Sequence, residues 1–198
     1  MKKYIVTINR QFGSLGRPIA AKIAETLGID YYDRDIVEET ARKMNIQMST
    51  VYEQEEKEKG SFFYMQFPLG HGNAELQNKI FETQRQIILN TADKGSCIIV
   101  GRCADFILGK MPNHISIYIT APYEERLRNC IDVLHMTEKE AQKRIRAVDY
   151  ARKNYHKKYA GYLQSDPEHT DIVINSALLG VEETAGVLAQ VIKNRFRD

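Results

Sequence analysis

A short glycine-bearing turn near the N terminus has the residue types that bind phosphate. The segment 6–25, VTINRQFGSLGRPIAAKIAE, predicts a strand, a turn and a helix. Gly13 and Gly16 permit positive φ angles and a close approach of the backbone to a ligand. The helix that follows offers free N–H groups and the positive end of its dipole, so the turn is able to hold an anion.

This turn departs at three positions from the standard phosphate-binding loop, GxxxxGK[ST]. With Gly16 as the last glycine, Gln11 replaces the first glycine, Arg17 the lysine and Pro18 the hydroxyl residue. Arg17 supplies a permanent cation with a bidentate fork, and Arg10 adds a second charge at the strand end. Two interpretations stay open: a phosphate cradle with altered chemistry, or a plain glycine-containing turn.

Short apolar strands alternate with amphipathic helices along the chain and must position this turn. Strands are predicted at 4–8, 29–33, 96–101, 114–120 and 170–175, with helices between them and a last helix at 181–197. The alternation predicts one α/β domain over 1–198, with three layers and a five-stranded parallel sheet covered on both faces. Ligands of such sheets bind at the carboxyl ends of the strands, where the segments NRQFGSLGR, GRCAD and APYEER fall.

Local signals also predict where two helices begin and end. Gly28 follows the first helix and is typical of a C-terminal cap. Thr137 and Glu140 have the spacing of a capping box, which predicts the start of a long helix.

Composition excludes several classes of protein. The formal charge is +2, from 28 basic and 26 acidic residues, which argues against binding of a nucleic acid polymer. No stretch approaches the roughly 18–20 apolar residues that span a bilayer, so no membrane association is expected. Cys97, Cys103 and Cys130 form no CxxC pair and fit a reducing cytoplasm. The five histidines show no zinc-ligand spacing.

Residues 45–77 interrupt the alternation and are the best candidate for an inserted, acceptor-side segment. A charged stretch comes first, and SFFYMQFPLGHG follows it with aromatic residues, proline and glycine. These aromatic side chains have three interpretations: a small core of the insertion, a homodimer contact through 60–73, or a surface that stacks against the acceptor.

Six segments in this order resemble the cytidylate kinase-like family, relatives of CMP kinase among the P-loop nucleoside monophosphate kinases. They are VTINRQFGSLGR, YYDRDIV, CIIVGRCADFIL, APYEERLRN, KRIRAVDYARKNYHKKYAG and DIVINSALLGVEE. The resemblance implies a P-loop NTPase-type fold with a helical lid at 122–160. It also implies phosphoryl transfer from ATP with Mg²⁺ to a small acceptor such as CMP. The family often has arginine at the P-loop lysine position, as Arg17 does here.

The resemblance also assigns roles to individual residues. The donor phosphates would be held by Arg10, Gly13, Ser14, Leu15, Gly16, Arg17 and Pro18. The acceptor would be bound by Asp33, Arg102, Asp105 and Asp149, and the catalytic cations would be Arg17, Arg126, Arg128 and Arg152. Ser14, or Asp105 through a water molecule, would contact magnesium.

Structural interpretations stand beside these roles. Arg102 could equally be an ordinary surface arginine at the end of a strand. Asp105 could equally be an acidic residue that stabilises the first turn of a helix. The basic run over 139–158 resembles a solvated helix face. In the family's lid pattern Ile145 falls where an arginine is expected, so Arg144 or Arg146 would have to replace it.

Three functions remain open from the sequence. The leading one is a nucleoside monophosphate kinase. The missing lysine and hydroxyl residue favour a nucleotide-binding sensor without catalysis. The segment YYDRDIVEE lacks the LDSGAxYR pattern of CMP kinases apart from Asp33, which favours a kinase for a non-nucleotide acceptor.

Overall fold

The computed structural model describes residues 3–44 and 74–197, and in these ranges strands and helices alternate. The elements are β1 (Ile5–Arg10), α1 (Gly16–Leu27), β2 (Asp30–Tyr32), α2 (Arg34–Lys43), α3 (Ala74–Lys94), β3 (Cys97–Val100), α4 (Ala104–Leu108), β4 (His114–Thr120), α5 (Tyr123–Asp132), α6 (Glu138–Ala160), β5 (Ile172–Asn175) and α7 (Gly180–Arg195).

The five strands form one parallel sheet in the order β2-β3-β1-β4-β5, as the alternation predicted. β1 lies at the centre and is buried along its whole length, because it has a neighbour on each edge and helices on both faces. Ile5 is in register with Cys97 of β3 and with His114 of β4. This register brings the loops after β1, β3 and β4 together at one edge of the sheet.

Each face of the sheet is covered by its own apolar layer. On one face, Val6 and Ile8 of β1 belong to the same buried cluster as Ile19 of α1 and Leu188 of α7. On the other face, Ile5 packs in a cluster formed largely by α3, β3 and α4. Full burial of one such aliphatic side chain contributes about 1.5–3 kcal/mol, so the two layers fix the strands that carry the loops.

Helices α5 and α6, the region predicted as a lid, pack directly on the turn after β1. Phe12 is buried in a cluster with Cys130 of α5 and with Ile145 and Val148 of α6. The capping box of α6 is confirmed, because Glu140 N–H donates to Thr137 Oγ1 and Thr137 N–H donates to the Glu140 carboxylate.

Most element boundaries agree with the sequence predictions to within about two residues, but α3 begins at Ala74, inside the predicted insertion 45–77. Gly28 caps α1 in the left-handed conformation, with φ of 63°, as predicted. The short helix α4 had no prediction of its own. Of the segment 45–77, residues 45–73 lie outside the described residues, as does the homodimer contact proposed for 60–73; α3 begins at Ala74.

Two chemical expectations can be compared with the described residues. Cys97, Cys103 and Cys130 are all free thiols in buried positions. Among the helices that the structure describes, none combines the length and the apolar character needed to cross a membrane.

Candidate functional site

The turn between β1 and α1 has the backbone of a ligand loop. Gly13 and Leu15 both have positive φ angles, of 79° and 56°. Leucine rarely adopts this conformation, which costs about 1–2 kcal/mol for a residue with a Cβ. A Cβ on Gly13 would lie 2.7 Å from the carbonyl oxygen of Arg126, so only glycine fits where α5 crosses the turn.

Asp149, predicted to bind the acceptor, and Arg126, predicted to be a catalytic cation, both contact the main chain of this turn. Asp149 Oδ1 accepts a hydrogen bond from the Phe12 N–H at 2.8 Å, and Asp149 Oδ2 pairs with the Arg126 guanidinium. Arg126 also donates to the Phe12 carbonyl at 3.3 Å, and Asn129 donates to the Gly13 carbonyl at 3.0 Å. Helices α5 and α6 therefore fix the turn by bonds to its main chain.

The opposite side of the turn is fastened to the ends of β4 and β5. Gln11 Oε1 accepts hydrogen bonds from Thr120 Oγ1 and from the Ala121 N–H. Ser176, the first residue after β5, donates its hydroxyl to the Ser14 carbonyl at 2.7 Å. Held at both ends, the turn is preorganised and needs little rearrangement to accept a ligand.

The start of α1 provides main-chain donors on the remaining side. Within the described residues, the N–H groups of Leu15, Gly16 and Arg17 donate to no protein acceptor. Pro18 is the third residue of the helix, where its missing N–H removes no intrahelical bond. Leu15 and Arg17 are partly exposed, so the donors reach solvent there. Such a helix start binds phosphate.

A second loop, after β3, carries unusual backbone as well. Gly101, Arg102 and Cys103 have consecutive positive φ angles of 75°, 59° and 54°. Two of these residues carry a Cβ, so the loop stores strain of the kind found at ligand sites. A Cβ on Gly101 would lie 2.5 Å from Arg10 Nη1, which shows how closely this loop approaches the end of β1.

The two loops and β2 bring together a set of charges that we call the basic cluster. It consists of Arg10, Arg17, Asp33, Arg102 and Arg152. Asp33 forms an ion pair with Arg17 and lies 3.7 Å from Arg10. Arg152 donates to the Arg10 carbonyl at 2.8 Å. The charges of Arg10, Arg17 and Arg102 thus act on Asp33, while both Asp149 and Asp33 act on Arg152.

The pKa values in the basic cluster follow from the burial of each group and from the charges around it. Burial lowers the pKa of Arg10 to about 10, with Asp33 opposing the change and Arg17 and Arg102 adding to it. Burial also lowers the pKa of Arg152, and repulsion from Arg10 lowers it further. Burial raises the pKa of Asp33, but Arg10, Arg17 and Arg102 outweigh it and hold that pKa below its usual value.

Asp105, predicted on the acceptor side, is placed in a separate buried pair. His156 of α6, fully buried, lies with Nε2 2.8 Å from Asp105 Oδ2. Burial lowers the pKa of His156, but the hydrogen bond and charge of Asp105 outweigh burial and raise it. The pair joins α4 to α6, which indicates a positioning role for Asp105.

Arg128 lies apart from the basic cluster. Its side chain is 64% exposed and pairs with Glu125 one turn earlier on α5. Ile145 is buried beside Phe12, so the family's lid arginine position has become part of the core. Arg146 is exposed on α6. Assignment of lid cations to Arg128 or Arg146 stays a prediction.

Magnesium binding by Ser14, or by Asp105 through a water molecule, stays a prediction, and both side chains have protein partners. The Ser14 hydroxyl is fully buried and donates to the carbonyl oxygens of Gln11 and Ile119, away from the start of α1. Asp105 is engaged by His156. In residues 3–44 and 74–197, no group of three or more His, Cys, Asp or Glu side chains is arranged to hold a metal ion.

Three supporting residues were not identified from the sequence. Ser176 follows the end of β5, so the rule that ligand residues follow parallel strands could have found it. Asn129 and His156 lie inside helices with no local signal. Their partners, Gly13 and Asp105, are more than 50 residues away in the chain.

The sheet order, the glycine turn after its central strand and the basic cluster at its carboxyl edge define a P-loop type of kinase fold. The cytidylate kinase-like family matches this sequence over residues 5–178, and the chain belongs to that family. The resemblance found in the sequence is therefore confirmed. Membership supports phosphoryl transfer from ATP as the general activity. A search of curated proteins gives no match.

Solved structures agree on the fold. An uncharacterised protein from Eubacterium ventriosum is 26% identical, with a TM-score of 0.74 over 98% of this chain and 100% of its own. Shikimate kinase from Acinetobacter baumannii, in complex with shikimate, is 13% identical, with a TM-score of 0.56 over 99% and 97%. Shikimate kinase from Bacteroides thetaiotaomicron is 10% identical, with a TM-score of 0.54 over 97% of both chains.

Proposed function

We propose that this protein transfers the γ-phosphoryl group of ATP to a small phosphorylated acceptor, a nucleoside monophosphate such as CMP. The observation that carries the proposal is the basic cluster, in which four arginines surround one carboxylate beside a preorganised helix start. Guanidinium groups and the N–H groups at a helix start bind phosphate oxygens. ATP and a nucleoside monophosphate both carry negatively charged phosphate groups, which arginine side chains would bind.

The position of each residue suggests which phosphate group it would bind. The N–H groups of Leu15, Gly16 and Arg17 and the Arg17 guanidinium would hold the donor phosphates. Arg102, on the strained loop after β3, would hold the acceptor phosphate. An acceptor oxygen then attacks the γ-phosphorus as the bond to the ADP oxygen breaks, and the arginines neutralise the charge on the transferring oxygens. Magnesium would enter with ATP, since the described residues offer it no site.

A second candidate acceptor follows from Asp33. A buried carboxylate repels an acceptor phosphate, whereas it accepts a hydrogen bond from an acceptor hydroxyl. A small hydroxy acid would place its hydroxyl on Asp33 and its carboxylate on Arg102 or Arg152. The low pKa of Asp33 makes it an orienting group for the hydroxyl, because a strongly ionised carboxylate is a weak base.

Coupled ADP release tests both acceptors. The protein is incubated with Mg·ATP and, in turn, CMP, UMP, AMP, GMP and the hydroxy acid shikimate, with ATP alone as the baseline. We expect one class to raise ADP release above that baseline, and Arg102→Ala to raise the KM for that acceptor. ATP binding in calorimetry without turnover on any acceptor would support the sensor function instead.

A further inference from the structure

A cavity of about 180 Å³ lies beside α6, at the carboxyl ends of β1 and β4. Its wall on the remaining side is the segment that follows α6. The residues that line the cavity include Arg10, Tyr118, Arg152, Lys153, Gln164 and Ser165. This volume corresponds to about six water molecules, since each occupies about 30 Å³ in the liquid. The cavity therefore has room for a small organic molecule or an inorganic oxyanion.

The cavity and α3 lie on opposite flanks of α6. Lys158 and Tyr159 donate hydrogen bonds to Gln77 and Asn78 on α3, so this flank of α6 faces α3. Asp149, which lines the cavity, precedes Lys158 by nine residues, or two and a half helical turns, and so projects from the other flank. A ligand in the cavity would lie between α6 and β4, away from Asp33.

The charge of the lining favours an anion. Arg10 and Arg152 are 7% and 6% exposed, and Lys153 adds a third positive charge from the outer part of α6. Asp149 also lines the cavity, but its two oxygens are engaged by the Phe12 N–H and by Arg126. The hydroxyl groups of Tyr118 and Ser165 are available in the lining as hydrogen-bond donors.

We propose that this cavity is a second ligand site, which binds a small molecule carrying a phosphate or carboxylate group. Arg10, Arg152 and Lys153 neutralise the anionic group of the ligand. Tyr118, Gln164 and Ser165 contact the polar part of the ligand beyond that group. The site shares Arg10 and Arg152 with the basic cluster, and the presence of the cavity does not depend on the proposed kinase activity.

The shared arginines connect this site to the basic cluster. Arg10 lies between the cavity and Asp33, and Arg152 contacts both the cavity and the Arg10 carbonyl. An anion in the cavity lowers the positive potential at the start of α1, so it weakens ATP binding. By linkage, ATP weakens binding in the cavity by the same factor. This coupling, unlike the site itself, rests on the proposed function.

Calorimetry with two probes tests the site. Inorganic phosphate and malonate are titrated into the wild-type protein in the presence of a saturating non-hydrolysable ATP analogue with Mg²⁺, which fills the start of α1. We expect saturable binding of at least one probe. Binding of phosphate alone indicates a phosphorylated ligand, and binding of malonate alone indicates a carboxylate.

Variants of the lining show where the probe binds. Ser165→Trp fills the cavity from the exposed segment and should abolish binding. Lys153→Gln removes one exposed charge and should weaken binding by up to about fivefold, the size of a surface ion pair. Lys157→Gln, one turn further along α6 and outside the lining, is the matched control and should bind like wild type. Circular dichroism confirms that each variant is folded.

Two results would overturn the proposal. One is that neither probe binds once the ATP analogue is present. The other is that the wild-type protein and folded Ser165→Trp bind the probe equally well. If the ATP analogue itself fails to bind, the proposed kinase function fails, whereas the effect of Ser165→Trp on phosphate binding still decides whether the cavity is a site.

Discussion

Two buried carboxylates near the same edge of the sheet, Asp33 and Asp105, have opposite surroundings. Asp33 is 4% exposed and has four arginines around it, two of them in ion pairs with it. Asp105 is 5% exposed and pairs with one histidine, whose other ring nitrogen is bonded to the Tyr162 carbonyl. The first carboxylate has several arginines around it, whereas the second is paired with a single histidine.

The difference separates a binding site from a structural contact. A balanced buried pair satisfies its own charges and has no use for a further ion. A carboxylate that lies among several arginines marks a place where a further anion is also attracted. The sequence suggested acceptor binding for both carboxylates; that role stays a prediction, and the arginines around Asp33 favour it there.

The largest effect is expected from Arg17→Ala, which removes the partly exposed cation at the start of α1. We expect kcat for ADP release to fall about 10³-fold, the lower range for an arginine that acts on a transferring phosphoryl group. Arg17→Lys, which restores the usual P-loop cation, should recover much of the loss. Arg85→Ala, an exposed arginine on α3, is the control. A kcat close to wild type in Arg17→Ala would remove Arg17 from the mechanism.

Replacement of each carboxylate by its amide compares the two groups directly. Asp33→Asn and Asp105→Asn should each lower the free energy of unfolding by about 3–5 kcal/mol, because each leaves buried cations without a partner. Only Asp33→Asn should then regain stability when sulfate is added, since sulfate can replace the lost charge among the arginines. Urea denaturation with and without sulfate measures this. Equal responses to sulfate would mean that the two groups do not differ as described.

The Asp105–His156 pair should give stability a dependence on pH. The pKa of His156 is raised in the folded protein, so its contribution is complete below about pH 6.5 and is lost as pH rises through the folded value. The pKa of Asp105 is lowered, so its contribution is present above about pH 4 and is lost in acid. The difference in unfolding free energy between wild type and His156→Gln should therefore be larger at pH 6 than at pH 9. A difference that does not change with pH would show that the pair is uncharged.

Gly101→Ala tests the contact between the strained loop and Arg10. The new Cβ would lie 2.5 Å from Arg10 Nη1, on a backbone with φ of 75°. We expect a loss of about 1–2 kcal/mol in stability from the left-handed backbone and a rise in KM as Arg10 moves. Gly95→Ala, whose Cβ would have no neighbour within 4 Å, is the control. An unchanged KM would show that the position of Arg10 does not affect substrate binding.

The smallest effect is expected from Arg128→Ala. Because the Arg128 side chain is 64% exposed and pairs only with a neighbour on its own helix among the described residues, stability should change by less than about 0.5 kcal/mol. We expect kcat to stay within about twofold of wild type. A tenfold loss of kcat would show that α5 moves and brings Arg128 to the phosphates, as the lid prediction requires.

The sequence by itself determined the parallel sheet, most of the described helices and the glycine turn after the first strand. Periodicity, glycine placement and capping are properties of consecutive residues, so they can be recognised without a fold. The rule that ligands bind at the carboxyl ends of parallel strands then located Arg10, Arg17 and Arg102 at one edge.

Only the tertiary structure decided which charges meet. Asp149 and Phe12 are bonded across 137 residues, and His156 and Asp105 across 51. These pairings depend on how α6 crosses the sheet, and no local sequence pattern predicts that crossing. An ionisable side chain takes its role from the charges around it, so Asp149 supports the turn, Asp105 joins two helices and Asp33 lies among the arginines. The energy of a buried charge depends on the charges that lie near it in space. The sequence shows only which residues are adjacent along the chain, so it does not show which charges will meet.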